Sequence, residues 1–458
     1  MISSYIANDN DTIIAPATPA GGAICVIRLS GAKAIELCDK VFHGRKALKD
    51  AAAATLHYGF IKDGDEVIDD VVIGLFRSPH SYTGEDVVEI SSHGSRYIVE
   101  RIISLFRDMG VRMAEAGEFT RRAFLAGRMD LSQAEAVADI IAADSRASLT
   151  VAATQMRGAY SAELQELRDK LLHITSLLEL ELDFSEEDVE FADRTQLAEL
   201  LNTLHDKVSS LARTFALGNA LKHGVVVAIA GRPNVGKSTL LNIFAGEERA
   251  MVSDIAGTTR DTIESICNID GVTYRFIDTA GMHATSDRLE KMGIERTEQA
   301  LRKAHIILWV CENDVCNIIS DLDGFIPHNE QKVFRIINKI DLNPNKPIEL
   351  QNCPYPTLAI SAKTGEGIST LIDNLSAAVD TSTAFNGDVI VSNQRHYEAL
   401  HQAENSLSSA ITALKNNTTA DLMSEDIRQV IYHLGTITGE ITSEDILKNI
   451  FSKFCIGK

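Results

Sequence analysis

No stretch of the chain approaches the roughly 18 consecutive apolar residues that a membrane-spanning helix requires. Its opening, MISSYIANDNDT, lacks the charged and apolar regions of a signal peptide. The expectation is a cytoplasmic protein with no membrane partner. Seven cysteines, at 25, 38, 267, 311, 316, 353 and 455, include no C-x-x-C pair, which argues against a disulfide framework or a zinc site and leaves most of them as small buried hydrophobes. Basic charge is also scarce, with 44 Lys and Arg against 64 Asp and Glu and a net charge of -20. Indiscriminate nucleic-acid binding depends on cationic contacts to phosphate, so any RNA contact must use a local basic patch or a partner's surface. Repeats and low-complexity tracts are missing apart from AAAA at Ala51 to Ala54.

What is present is 458 residues with an ordinary 45% hydrophobic content, enough for about three domains. Short β-rich runs such as AICVIRLSG and DVVIGLF, broken by Gly, Pro and Ser, mark residues 1–118 as a mixed α/β domain. Residues 119–222 are rich in Ala, Leu and Glu, and Leu164, Leu167, Leu171, Leu178 and Leu182 keep helical spacing. Residues 223–380 alternate strand-like and helix-like segments, the pattern of a mostly parallel sheet flanked by helices. Residues 381–458 read as helical again. So short a helical tail makes a poor core by itself, so the expected arrangement is a discontinuous helical domain, 119–222 with 381–458, into which the α/β unit is inserted. The acidic run Ser185 to Glu190 reads as a solvated loop or helix end.

After the apolar VVVAIA comes GRPNVGKST, a match to G-x-x-x-x-G-K-[ST] in strand, loop and helix context. Gly231 and Gly236 let the backbone curl so that its N–H groups face phosphate oxygens, and the helix starting near Lys237 adds its positive end. Lys237 is expected to reach the β- and γ-phosphates and Ser238 to ligate Mg2+. The base is chosen by NKID, Asn338 to Asp341. The Asp341 carboxylate can accept from guanine N1–H and the 2-amino group together, a pattern adenine does not offer. SAK, at Ser361, Ala362 and Lys363, fits a loop closing over the base. Between them lie GTTRD and DTAG. Thr259 can reach the metal from its loop only while the γ-phosphate is present, Asp278 ends a strand beside the metal, and the Gly281 N–H can meet the γ-phosphate. The full set expected to contact GTP is Asn234, Val235, Gly236, Lys237, Ser238 and Thr239, then Ser253, Asp254, Ile255, Ala256, Gly257, Thr258 and Thr259, then Asp278, Thr279, Ala280 and Gly281, with Asn338, Lys339, Asp341 and the three SAK residues. Ras-like enzymes place a water-orienting Gln directly after D-x-x-G. Here that position is Met282, which cannot orient water, so hydrolysis must borrow a group from elsewhere or be slow.

The combination of GRPNVGKSTLLN, DIAGTTRDTIE, DTAGMH, NKID and the terminal FCIGK resembles the MnmE (TrmE) family of tRNA-modification GTPases. The likeness extends through TIIAPATPAGG, IRLSG, SYTGEDVVEISSHG and GEFTRRAFLAGRMDLSQAEAVADII to TGEITSEDILKNIFSKFCIGK, essentially the whole chain. The resemblance implies an amino-terminal domain that dimerises and binds 5-formyl- or 5,10-methylene-tetrahydrofolate, with the tail returning to that site. It also implies a complex with MnmG, an FAD-dependent partner using NADH, in a heterotetramer that modifies C5 of the wobble uridine of certain tRNAs. By matching positions, Arg28, Glu89, Arg128 and Lys458 would contact the folate. Arg128 departs from the Lys expected there, keeping the charge but changing the geometry. A carboxylate such as Glu89 can pair with the amino-imine edge of a pterin, while cations suit the glutamate tail; each of these residues taken singly is equally an ordinary surface ion pair.

The family also implies K+ beside the phosphates, held by Asn234, Ser253, Ile255 and Thr258, with GTPase domains meeting across the dimer. Such a cation offsets transition-state charge as an arginine finger does. Glu290 would then orient water through a second water, although in LEKMGIERTEQALRKA it also reads as an exposed helix charge. His283 replaces an expected Arg and receives no role.

The other readings are a GTP-driven ribosome-assembly switch and a stand-alone folate enzyme. Assembly factors of that kind commonly carry a KH module with a G-x-x-G clamp, whereas the segment after Asp380 reads as helical and GTITG has three residues between its glycines. A folate enzyme would leave the nucleotide switch unexplained. Cys455 is no prenylation site, because Ile456, Gly457 and Lys458 do not form a C-a-a-X box. Two roles remain open for it: a thiol acting on the uridine, activated by Lys453 or Lys458, or one packing beside the folate.

Overall fold

In the computed structural model, which describes residues 11–183, 194–246, 264–278, 297–312, 318, 325–328, 330–342, 353–416, 418 and 420–458, the chain forms two compact units. The first contains Met1–Ala138, Met156–Leu177 and Ile427–Lys458. Its sheet is built from β1 (Ile13–Pro16), β2 (Ile24–Ser30), β3 (Phe42–Gly44), β4 (Thr55–Asp63), β5 (Glu66–Phe76), β6 (Val87–His93) and β7 (Arg112–Met113) in the order β3-β4-β5-β6-β2-β1-β7. In β2, Cys25, Ile27 and Leu29 point to one face and pack beneath α1 (Ala34–Val41) and α2 (Arg96–Asp108), the alternation a half-covered strand needs. Arg28 therefore lies on the other face. The antiparallel register pairs it with Glu89 of β6.

Four helices follow: α3 (Glu118–Leu125), α4 (Leu131–Ala142), α5 (Arg146–Met156) and the longer α6 (Ala159–Asp183). The division between units falls inside α4 and before the last residue of α5, so residues 139–155 belong to the second unit while both of their neighbours in sequence belong to the first; it falls again inside α6. The residues expected to form one helical domain thus divide between the two units.

The second unit comprises Asp139–Gln155 and Leu178–Asp426. Helices α7 (Arg194–Arg213) and α8 (Phe215–His223) lead to β8 (Val225–Ala230), which is followed by α9 (Lys237–Gly246), β9 (Glu264–Ile269), β10 (Val272–Asp278), β11 (Ile306–Cys311), β12 (Lys332–Ile337), β13 (Thr357–Ala359), α10 (Ile368–Ala378), α11 (Ser382–Phe385) and α12 (Gln394–Lys415). The sheet runs β13-β12-β11-β8-β10-β9, parallel except for the edge strand β9. Every residue of β11 is buried, as in a strand covered on both faces. Asp270 and Gly271, at φ 50° and 81°, form the tight left-handed turn that joins β9 to β10. In α7 the buried Leu197, Leu201, Leu204, Val208 and Leu211 form one stripe, which packs on α12. Phe215 stacks on Tyr397 with centroids 4.5 Å apart.

The chain returns to the first unit along α13 (Ala420–Thr438) and ends in α14 (Glu444–Phe451). Ser443 caps α14, its hydroxyl accepting from the Ile446 N–H. Leu447, Phe451 and Phe454 pack with Leu131, Ala134 and Val137 of α4.

Candidate functional site

The glycine loop expected to hold phosphate sits where β8, the strand between β10 and β11, gives way to α9. Ligands bind at this carboxyl edge in parallel sheets, where the strand order reverses. The two loop glycines answer to space as well as to turn geometry. A Cβ on Gly231 would lie 2.1 Å from the Val310 carbonyl oxygen, and one on Gly236 2.3 Å from Asn338 Nδ2. Asn234 adopts φ 64°, a left-handed conformation that Asn tolerates better than most side chains. Buried Lys237 donates to the carbonyls of Gly231 and Arg232 at 2.7 and 2.8 Å. Its ammonium is held at the mouth of the loop. Ser238 and Thr239 occupy the exposed first turn of α9.

The residues expected to select the base are tied to this loop. Asn338 directly follows β12 and is buried; its amide donates to the Val235 carbonyl, and its Oδ1 accepts from the Ala362 N–H, each at 2.9 Å. Lys339 donates to the Asn234 carbonyl at 2.6 Å and pairs with Glu312. The Ser361 hydroxyl donates to Asp341 Oδ1 at 2.7 Å, which leaves the second carboxylate oxygen for a ligand. Lys363 is exposed. NKID, SAK and the glycine loop, far apart in sequence, thus form one hydrogen-bonded constellation. Asp278 closes β10 in register with Ile229. Ser253, Asp254, Ile255, Ala256, Gly257, Thr258, Thr259, Thr279, Ala280, Gly281, Met282, His283 and Glu290 lie outside the described residues, as do Cys316 and the acidic run from Ser185 to Glu190.

A second constellation occupies the open face of the first unit's sheet. Arg28 binds Glu89 Oε1 through Nε at 2.9 Å and through Nη2 at 2.8 Å. Its Nη1 donates to the Gly457 carbonyl at 3.4 Å, and its guanidinium lies over the rings of Tyr82 and Phe119 at 5.3 and 5.6 Å. The chain's last residues are seated here. Ile456 bridges to Ala116, the Gly117 N–H donates to the Cys455 carbonyl at 3.5 Å, and a Cβ on Gly457 would fall 2.1 Å from the Pro16 carbonyl oxygen. The tail fits only because residue 457 has no side chain. Cys455 itself is exposed and Lys458 half-buried. Arg128 is exposed, its stem passing Gly84 in the loop before β6. The structure thus brings Arg28, Glu89 and the CIGK backbone into contact. Tyr82 and Phe119, which the sequence reading passed over, were visible only as aromatics inside SYTGED and GEFTRR.

Beneath this face α3 is anchored by buried charge. Glu118, with no exposed surface, accepts from Arg112 at 2.6 Å and Arg122 at 2.9 Å, and Arg122 also reaches Asp11 and Glu85. Burial pushes the Glu118 carboxyl up, but hydrogen bonds from Arg112, the Glu115 N–H and Arg122 outweigh it and hold the group below its ordinary value. The Tyr82 hydroxyl bonds Thr120 at 2.9 Å. Burial raises the Tyr82 phenol against the opposing pull of Thr120 and Arg28. This network fixes the loop and helix that carry the two rings around Arg28.

A strand, a glycine loop cradling a lysine, and an Asn-Lys-x-Asp loop tied to it define the guanine-nucleotide class of P-loop hydrolases. Comparison with known proteins narrows this. The GTP-binding protein TrmE N-terminus profile matches residues 12–128, and the MnmE helical domain profile matches residues 131–455. The tRNA modification GTPase MnmE of Bacteroides fragilis is 48% identical over 98% of this chain and all of that protein. The protein of the same description from Cytophaga hutchinsonii is 45% identical over the full length of both. Among solved structures, the G domain of the T. maritima FeoB iron transporter is 26% identical, covering 34% of this chain and 98% of that one, with a TM-score of 0.26. This chain belongs to the MnmE family of tRNA modification GTPases.

Proposed function

We propose that the chain binds and hydrolyses GTP and, with an FAD-dependent partner of the MnmG kind, uses a one-carbon tetrahydrofolate to modify C5 of the wobble uridine in certain tRNAs. The observation that carries the nucleotide half is the link from Asn338 to both Val235 and Ala362, which holds the base-reading and phosphate-reading loops as one body. In this reading Lys237 meets the β- and γ-phosphates, Asp341 reads the guanine edge, and Ser238 with Thr259 holds Mg2+. Asn234 with Ser253, Ile255 and Thr258 holds K+, and Glu290 orients the attacking water in place of the Gln that Met282 replaces. The described part of this set fits such a load: Lys237 is preorganised at the loop, and Asn234 is exposed beside it.

The folate half rests on the Arg28–Glu89 pair. Glu89, about a third exposed, has carboxylate surface for the amino-imine edge of a pterin, while Arg28 is held rigidly by its partner and two rings. Arg128 and Lys458 offer cations for the glutamate tail. Cys455 acts chemically or packs; its exposure keeps both roles open. Homodimerisation is supported by an apolar stretch on the same open sheet face, where Leu56, Tyr58 and Val72 are 76%, 63% and 37% exposed. No described helix is long and apolar enough to cross a membrane, which accords with work on tRNA in the cytoplasm.

Steady-state hydrolysis by the purified chain tests the nucleotide half. Turnover of GTP but not ATP, faster in K+ than in Na+ at equal ionic strength, is expected. Equal rates in the two salts contradict the cation-assisted mechanism.

A further inference from the structure

In this acidic chain one stretch carries the opposite charge. Lys40, Arg45, Lys46 and Lys49 make residues 40–49 the only ten-residue window of the sequence with four Lys or Arg, and the window holds no Asp or Glu. It begins in the last turn of α1, passes through β3 and runs into a single 3-10 turn, Leu48–Asp50. β3 is an edge of the first unit's sheet and pairs only with β4. The segment that follows it therefore lies at the rim of that sheet.

The backbone of this segment is firmly held. Phe42 and Leu48 are buried in the core of the first unit, and the Asp39 carboxylate accepts from the Leu48 N–H. Arg77, directly after β5, donates through Nη2 to the carbonyls of Leu48, Lys49 and Ala51 at 3.3, 2.8 and 3.2 Å. One guanidinium thus fixes the turn by three acceptors. Around these anchors His43, Gly44, Arg45, Lys46 and Lys49 are exposed. Lys40 pairs with Glu36 at 2.8 Å, but among the described residues no carboxylate pairs with Arg45, Lys46 or Lys49. Lysines commonly blunt a sheet edge against pairing with another strand. Here β3 is only three residues long and the three unpaired cations all lie beyond its end, so edge protection does not account for them. Protein interfaces are depleted in Lys and anchored by aromatic or apolar side chains, whereas the exposed residues from 43 to 49 are His, Gly, Arg and Lys. Cations on fixed backbone meet a polyphosphate at a lower ordering cost than cations on a mobile loop. In a chain of net charge -20, such a local excess is where a polyanion is drawn.

We propose that Arg45, Lys46 and Lys49 form a docking surface for the phosphate backbone of tRNA. The proposal rests on the reading that the chain acts on tRNA. Phosphate contacts position a nucleic acid without reading its sequence, so this surface holds the body of the tRNA and leaves the choice of base to other groups.

The test titrates the full-length chain with tRNA by fluorescence anisotropy at a series of KCl concentrations. The triple variant Arg45→Ala, Lys46→Ala, Lys49→Ala is expected to bind about tenfold or more weakly at physiological salt, and its slope of log K against log salt should be shallower by about 2 to 3, the share of three phosphate contacts. The loss should be the same for tRNAs that are modified and tRNAs that are not. GTP turnover without tRNA should be unchanged, which reports a folded chain. The charge-conserving set Arg45→Lys, Lys46→Arg, Lys49→Arg should keep the affinity. Removing three exposed lysines of the second unit, Lys303→Ala, Lys332→Ala and Lys415→Ala, lowers the net charge equally and should change the affinity by less than about twofold, since distant charges are screened. Equal affinity and salt slope in wild type and triple variant overturn the proposal, as does a wild type that does not bind tRNA. Unchanged tRNA affinity alongside lost binding of a protein partner overturns it in favour of an acidic protein surface. An equal loss in the second-unit control also overturns it, because net charge alone then accounts for the effect. Unchanged wobble-uridine modification in cells lacking the protein overturns the underlying reading, a result independent of the titration.

Discussion

Asn338 and Val235, 103 residues apart, are joined by a single hydrogen bond of 2.9 Å from side-chain amide to backbone carbonyl. Through it the base loop and the phosphate loop hold their spacing before any ligand arrives, which reduces the ordering cost of binding. Asn338→Ala removes this bond and strands the buried Ala362 N–H. Each loss costs about 1–3 kcal/mol in a buried site, so GTP affinity measured by calorimetry should fall at least tenfold. Gly236→Ala should be worse, since its Cβ would lie 2.3 Å from Asn338 Nδ2 at a backbone φ of 96°.

Asp341 is oriented by the Ser361 hydroxyl, and in the proposed reading its acceptor character sets the base. Asp341→Asn replaces an acceptor with a donor that suits the 2-oxo group of xanthine. GTP affinity should drop by roughly a hundredfold or more while xanthosine triphosphate gains. Competition binding with the two nucleotides checks this.

Acid titration tests the buried network under α3. Glu118 has its folded-state value below the ordinary 4.5, so its contribution to stability is present above about that pH and is lost as pH falls through the folded-state value. Glu118→Gln removes the fully buried carboxylate that Arg112 and Arg122 share and leaves them Asp11 as their common partner. Stability at neutral pH should fall by about 3–5 kcal/mol, and the slope of stability against pH below the ordinary carboxylate value should flatten. Urea melts at stepped pH measure both.

The tail provides a matched pair of variants. Gly457→Ala should weaken tetrahydrofolate binding strongly, because its Cβ would meet the Pro16 carbonyl at 2.1 Å and lift the carbonyl that Arg28 contacts. Cys455→Ser should bind folate normally, since the exposed thiol makes no contact that seats the tail. If Cys455→Ser also keeps full tRNA modification, the thiol only packs.

These sites differ in how far they could be read from sequence. The phosphate loop was legible because its parts are adjacent: a buried strand, two glycines and a lysine in nine residues. Both glycines proved to be needed for contacts with distant atoms, of Val310 and Asn338, which the motif implies but does not display. The Arg28–Glu89 pair depends on the register of two strands 61 residues apart, and no local pattern carries that information. Family likeness supplied the two names, whereas their bond to each other and the closing rings of Tyr82 and Phe119 come from the structure. Residues 139–155 looked like any Ala-rich helix. Their attachment to the turn at Gly271, whose carbonyl accepts from the Ala147 N–H, follows from tertiary packing, which overrides periodicity.

The central claim, that GTP turnover in this chain serves tRNA modification through the Arg28 site, is tested most directly by nucleoside mass spectrometry of tRNA from cells lacking the protein. The account predicts wobble uridine without its C5 substituent, restored by the wild-type gene but not by Lys237→Ala or Arg28→Ala. Unchanged wobble-uridine modification in cells lacking the protein would contradict it.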